Sequence, residues 1–125
     1  MVYLKFYGAE QEEFSEIYMV KLKPIDIIKV VNKLVRHFKL SPVNIVFDKR
    51  RVGYGSYIRY VRYWEPEIHL HPSGASLGLV VHELGHHYQF VKTGKKSKHN
   101  KKLMVIIRRI NRYCKKMDYW GFDKK

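Results

Sequence analysis

The run His82-Glu83-Leu84-Gly85-His86 constrains this chain more than any other stretch. Two imidazoles four positions apart lie one above the other on a helix face, so a single turn brings both to one metal ion. Glu83 sits beside the first of them, where its carboxylate can take a proton from a water on that ion. The flanking sequence has the periodicity a helix needs. Leu77, Val80, Val81 and Leu84, continued by Tyr88 and Val91, recur at helical spacing and predict a helix over 75–92. Pro72-Ser73-Gly74 breaks the chain ahead of it, and Ser73 or Ser76 is placed to cap it. Gly85 weakens such a helix by about 1 kcal/mol relative to alanine. Its presence predicts a close approach at that point, by the sheet or by a substrate.

The other elements follow from period and punctuation. Val2–Tyr7 reads as a short strand, 8–16 as an acidic turn, and Ile17–Leu22 as a second strand or an extended lead into a helix. Pro24 suits the first turn of that helix and Asp26 its positive end. Its apolar stripe is Ile27, Val30, Val31, Leu34, Val35 and Phe38, with Lys29, Lys33 and Arg36 opposite, and Ser41-Pro42 ends it. Val43–Phe47, Tyr57–Trp64 and Glu67–His71 read as strands of a small antiparallel sheet, separated by a basic turn from Lys49 to Gly55 and by Glu65-Pro66. Asn100–Met117 is the last predicted helix, with Leu103, Ile106, Ile107, Ile110, Cys114 and Met117 inward. The expected fold is α+β: an N-terminal helix, a small antiparallel sheet, the helix bearing the histidines and a basic C-terminal helix. At 125 residues this makes one domain, with 1–23 as an N-terminal extension and 118–125 as a tail.

Charge is the second constraint. The formal net charge is +14, and it is uneven. Residues 92–125 hold thirteen Lys and Arg against two Asp, which leaves only +3 for the first 91 residues. A basic C-terminal third predicts a polyanionic partner, nucleic acid first and an anionic membrane surface second. The plain reading is a solvated face that keeps the protein soluble. Near the N-terminus, Lys5 and the acidic Glu10, Glu12 and Glu13 are unlike a secretory leader, and no apolar run is long enough to span a bilayer. One cysteine, Cys114, allows neither an internal disulfide nor a cysteine-rich zinc ribbon. The expectation is an intracellular, monomeric protein.

A catalytic zinc takes three protein ligands and keeps a fourth position for water. No Glu follows Glu83, so the downstream candidates are His87, His99, Asp118 and Asp123. His87 points about 100° around the helix from His86. His99 opens the last helix after a loop able to fold back over the site, and is favoured.

The stretch from His82 to Asn111, HELGHHYQFVKTGKKSKHNKKLMVIIRRIN, resembles the core of the SprT-like zinc metalloproteases. That family has H-E-x-x-H on a helix, a variable loop, a third His opening the next helix, and a basic-hydrophobic helix after it. His99-Asn100-Lys101-Lys102-Leu103 and Arg108-Arg109-Ile110-Asn111 match this arrangement, and the resemblance extends loosely over residues 25–117. It implies a zincin-like core, with Zn2+ held by His82, His86 and His99 and Glu83 as general base. The implied activity is a zinc-dependent endopeptidase cleaving protein or peptide substrates, nucleic-acid-bound proteins for some members. Two features depart from the family. Asn100 stands where Gly is common, with Leu103 at the apolar position, and the cysteine-based ribbon after the core is absent.

Other residues carry weaker readings. His69 and His71 share a strand face and could grip a metal, although a polar strand face is the default. Tyr54, Tyr57, Tyr60, Tyr63 and Trp64, near Arg50, Arg51, Arg59 and Arg62, could stack on single-stranded bases, but half-buried strands collect such aromatics anyway. His87, Tyr57, Tyr60 and Tyr113 are candidate donors to a tetrahedral oxyanion. The rival of another class is a basic DNA- or RNA-binding protein with a structural or non-catalytic zinc. An intact Glu83 argues against it, since a structural site closes with four ligands and needs no base. A latent protease fits every residue as well.

Overall fold

The computed structural model describes residues 13–50, 56–58, 65–94 and 101–117. Among them are the helices α1 (Ser15–Tyr18), α2 (Pro24–His37), α3 (Leu77–Thr93) and α4 (Lys101–Lys116). The strands are β1 (Lys21–Leu22), β2 (Asn44–Phe47), β3 (Ser56–Ile58), β4 (Glu67–Leu70) and β5 (Ala75–Ser76). The architecture is α+β. The predicted strand Val2–Tyr7, and the part of the predicted Tyr57–Trp64 strand beyond Ile58, lie outside the described residues.

α2 begins where its sequence says it should. Pro24 occupies the first turn, Asp26 favours the positive end, and Ile27, Val30, Val31 and Leu34 form a buried stripe. It ends at His37, and Lys39 takes the left-handed conformation at φ 54° without a glycine. α3 starts under a side-chain cap: the Leu79 N–H donates to Ser76 Oγ at 3.1 Å. It stops at Gly94, whose φ of 70° and N–H bond to the Phe90 carbonyl make a left-handed C-terminal cap.

Two expectations are corrected. Ser15–Glu16 and Ile17–Tyr18 are not turn and strand. Helical geometry runs through α1, and only Lys21–Leu22 is extended, pairing antiparallel with Ala75–Ser76. The apolar side chains explain this: Phe14, Ile17, Val20 and Leu22 are all buried, a spacing that a helical turn followed by extended chain can bury together. The second correction concerns the sheet, which is mixed, not antiparallel. Its order is β2-β4-β3, with β3 antiparallel to β4 and β2 parallel to β4. Alternation reveals which face of a strand is buried but not its neighbour. Here β4 takes the centre because Ile68 and Leu70 are fully buried, whereas β2 and β3 are only partly covered where described.

Register sets the faces. Ile45, Phe47 and Tyr57 stand level with Ile68, Leu70 and Ile68 respectively, so all five point to the core. α3 crosses that core and is buried from Leu77 through Gln89 except at Leu79, which is half-buried. α4 lies along it through Leu103, Ile107, Ile110 and Cys114, all fully buried. Met117, expected inward, is exposed. The close approach expected at Gly85 is made by α4: a Cβ there would meet Ile107 Cγ1 and Leu103 Cδ1, each at 3.2 Å. Among the described residues, no helix is long and apolar enough to cross a membrane.

Candidate metal centre

His82, Glu83 and His86 come together in the middle of α3, all buried. One ligating atom from each lies within 4.8 Å of the other two. The imidazoles meet edge to face, with ring centroids 4.9 Å apart and planes at 82°. Their Nε2 atoms face one another at 3.3 Å. Two nitrogens each bound at zinc's usual distance in a tetrahedral site stand about 3.3–3.4 Å apart. The pair is therefore spaced as two ligands of one such ion. Imidazole nitrogens are donors that zinc accepts, and a carboxylate beside them suits either a further ligand or a base. This cluster could hold a metal ion. His99, Asp118 and Asp123, and with them any third ligand from the downstream chain, lie outside the described residues.

His87 does something else. It is fully buried and bonded at both ring nitrogens. Its Nε2 donates to the Ser41 carbonyl at 2.7 Å. A carbonyl only accepts, so the ring proton sits on Nε2, and Nδ1 accepts a hydrogen bond from the Tyr57 hydroxyl at 2.8 Å. Burial pushes the His87 pKa down, partly opposed by the bond to Ser41, which fits this neutral tautomer. The two candidate oxyanion donors His87 and Tyr57 are thus spent on each other. The Tyr113 ring stacks on His37, with centroids 3.6 Å apart. Tyr60 lies outside the described residues. The bridge has a sequence signal that composition hides: position 87 follows Val80 by seven and Leu84 by three, on the apolar stripe of α3.

The paired-histidine reading of His69 and His71 finds each engaged separately. His69 Nε2 donates to Glu67 Oε1 at 2.9 Å, and its Nδ1 faces Asp48 at 3.8 Å. His71 Nδ1 accepts from the Ser73 N–H at 3.1 Å and lies 2.7 Å from the Ser73 hydroxyl.

α4 carries the charge. Lys101, Lys102, Arg108, Arg109, Arg112, Lys115 and Lys116 are all exposed, and the helix contains no acidic residue. Some of this charge is engaged within the fold. Arg108 forms a two-point pair with Glu13, and Arg109 Nη1 donates to the Tyr88 hydroxyl at 2.9 Å. Lys95, Lys96 and Lys98, like the aromatic and arginine residues of 59–64, lie outside the described residues.

No protein-family model matches the chain, and no curated protein or solved structure matches it either.

Proposed function

We propose that this chain is a zinc-dependent endopeptidase of the SprT-like kind, built on a zincin-like core. The observation that carries the reading is the 3.3 Å separation of His82 Nε2 and His86 Nε2, buried beside Glu83. In the proposal His82 and His86 supply two ligands and His99 the third. A zinc held there would acidify a bound water and polarise a peptide carbonyl. Glu83 would be the base for the water proton and the acid for the leaving amine. Its burial beside two imidazoles supports that role, since a general base must lie within reach of the proton it moves. The exposed cations of α4 support nucleic-acid-bound proteins as the substrate class.

A second reading is favoured by that same basic helix: a DNA- or RNA-binding protein whose zinc does no chemistry. Zinc content by elemental analysis, with proteolysis of casein and of DNA-bound basic proteins, separates the two. One zinc per chain, weakened by His86→Ala and by His99→Ala, with cleavage abolished by Glu83→Gln, supports the protease. Zinc without cleavage, in a protein whose nucleic-acid affinity falls steeply with salt, supports the binding module. Absence of zinc overturns both ligand assignments.

A further inference from the structure

His86 has a torsional problem that its helix does not solve. The last torsion of a histidine is broad and roughly two-fold, so the backbone of α3 fixes where the imidazole starts but not where Nε2 points. Two rings flank it. His82 meets it edge to face. On another side stands Tyr57, its ring nearly parallel to that of His86, with 14° between the planes and 6.4 Å between centroids. Tyr57 reaches this place because its pairing with Ile68 turns it to the core face of the sheet, toward α3.

Tyr57 is itself held. Its hydroxyl donates to His87 Nδ1 at 2.8 Å, and His87 Nε2 donates to the Ser41 carbonyl at 2.7 Å. This chain of bonds ties β3, α3 and the α2–β2 connection together. It also draws the hydroxyl toward His87. We propose that Tyr57 and His87 are positioning residues for His86, a brace that fixes the plane of this imidazole. The inference rests on the metal-site reading above.

The alternative is a structural tie that holds β3 against α3 and leaves the metal indifferent. Losing the group bonded to a ligating histidine typically lowers metal affinity about 10- to 100-fold; Tyr57 meets His86 through its ring and is itself held by the bond to His87, so the brace predicts a loss at the low end of that range. A purely structural tie lowers only the melting temperature.

The test uses the full chain and Co2+, whose visible absorption reports ligand geometry. Tyr57→Phe keeps the ring and deletes the bond to His87. His87→Ala cuts the brace at its centre. His87→Gln restores one donor and one acceptor. Affinity for Co2+, the shape of its absorption bands and the melting temperature of the metal-free protein are measured for each. The brace predicts about a tenfold loss of affinity and altered bands in Tyr57→Phe, the same change in His87→Ala, and partial recovery in His87→Gln. The double variant Tyr57→Phe/His87→Ala should then be no worse than His87→Ala alone. Wild-type affinity and bands in Tyr57→Phe, with only a lowered melting temperature, overturn the brace and leave the metal site standing. Wild-type protein that binds no Co2+ overturns the metal-site reading and the brace together. Should His87→Ala fail to fold, Tyr57→Phe alone decides.

Discussion

Gly78 lies directly under the ring of Tyr18: a Cβ at position 78 would stand 2.5 Å from Tyr18 Cγ and 2.7 Å from each Cδ. This contact seats α1 on the first turn of the helix that carries the histidines. Alanine at position 78 gains up to about 1 kcal/mol of helix propensity. Against that, forcing a methyl into a packed ring costs typically about 1–3 kcal/mol. The steric term wins, so Gly78→Ala should lower stability in urea denaturation. Adding Tyr18→Ala should make the same substitution neutral or better. A Gly78→Ala variant as stable as wild type would show that the ring moves aside freely.

Ser76 caps α3 through its hydroxyl. Its removal in Ser76→Ala should cost about 1 kcal/mol. Ser76→Asp should keep most of that stability, because a carboxylate both accepts the same bond and suits the helix N-terminus. Equal losses in both variants would mean that the hydroxyl acts through some contact other than the cap.

Cys114 is a fully buried thiol on α4, and burial pushes its pKa up to about 12 from an ordinary 9.0. Only the thiolate is nucleophilic. The folded protein should therefore resist alkylation at pH 8 and react fully in denaturant. Because the folded pKa is raised, the unfolded chain ionises first. Stability from this group is complete below 9 and falls as pH climbs from there toward 12. Rapid labelling of the native protein would place Cys114 in a segment that opens locally.

The buried His87 gives the opposite sign. Its pKa is lowered from 6.5, so the unfolded chain takes up the proton first on acidification. Its contribution is complete above 6.5 and is lost as pH falls below that value toward the lowered one. Metal-free protein should show this acid loss, and His87→Gln should flatten it. An unchanged pH profile in His87→Gln would assign the loss to other groups.

Much of this was legible beforehand because it is local. α2, α3 and α4 follow from apolar spacing, and the cap narrows to Ser73 or Ser76, of which Ser76 makes it. The histidine pair required only the geometry of one helix turn. Partners across the chain were not legible. β2 and β4 pair in parallel with β3 intervening in sequence, and nothing in their alternation distinguishes that arrangement from a meander. Gly85 announced a close approach but not that α4 makes it. His87 reads as a disfavoured ligand or an oxyanion donor, not as a bridge, because its two partners, Ser41 and Tyr57, sit 46 and 30 positions away.

The two facing nitrogens of His82 and His86 issue from a single turn of α3. Their bite is set by helical pitch alone, whereas the strap between β1 and β5 joins positions more than fifty apart. Lengthening a connecting loop costs only about 0.6 kcal/mol per doubling and leaves that bite unchanged. The two-point grip is in this sense insulated from insertions and deletions elsewhere. The proposed third ligand from the α3–α4 connection would have no such protection. In that proposal the length of the connection, not the spacing of the histidine pair, would be the adjustable part of the site.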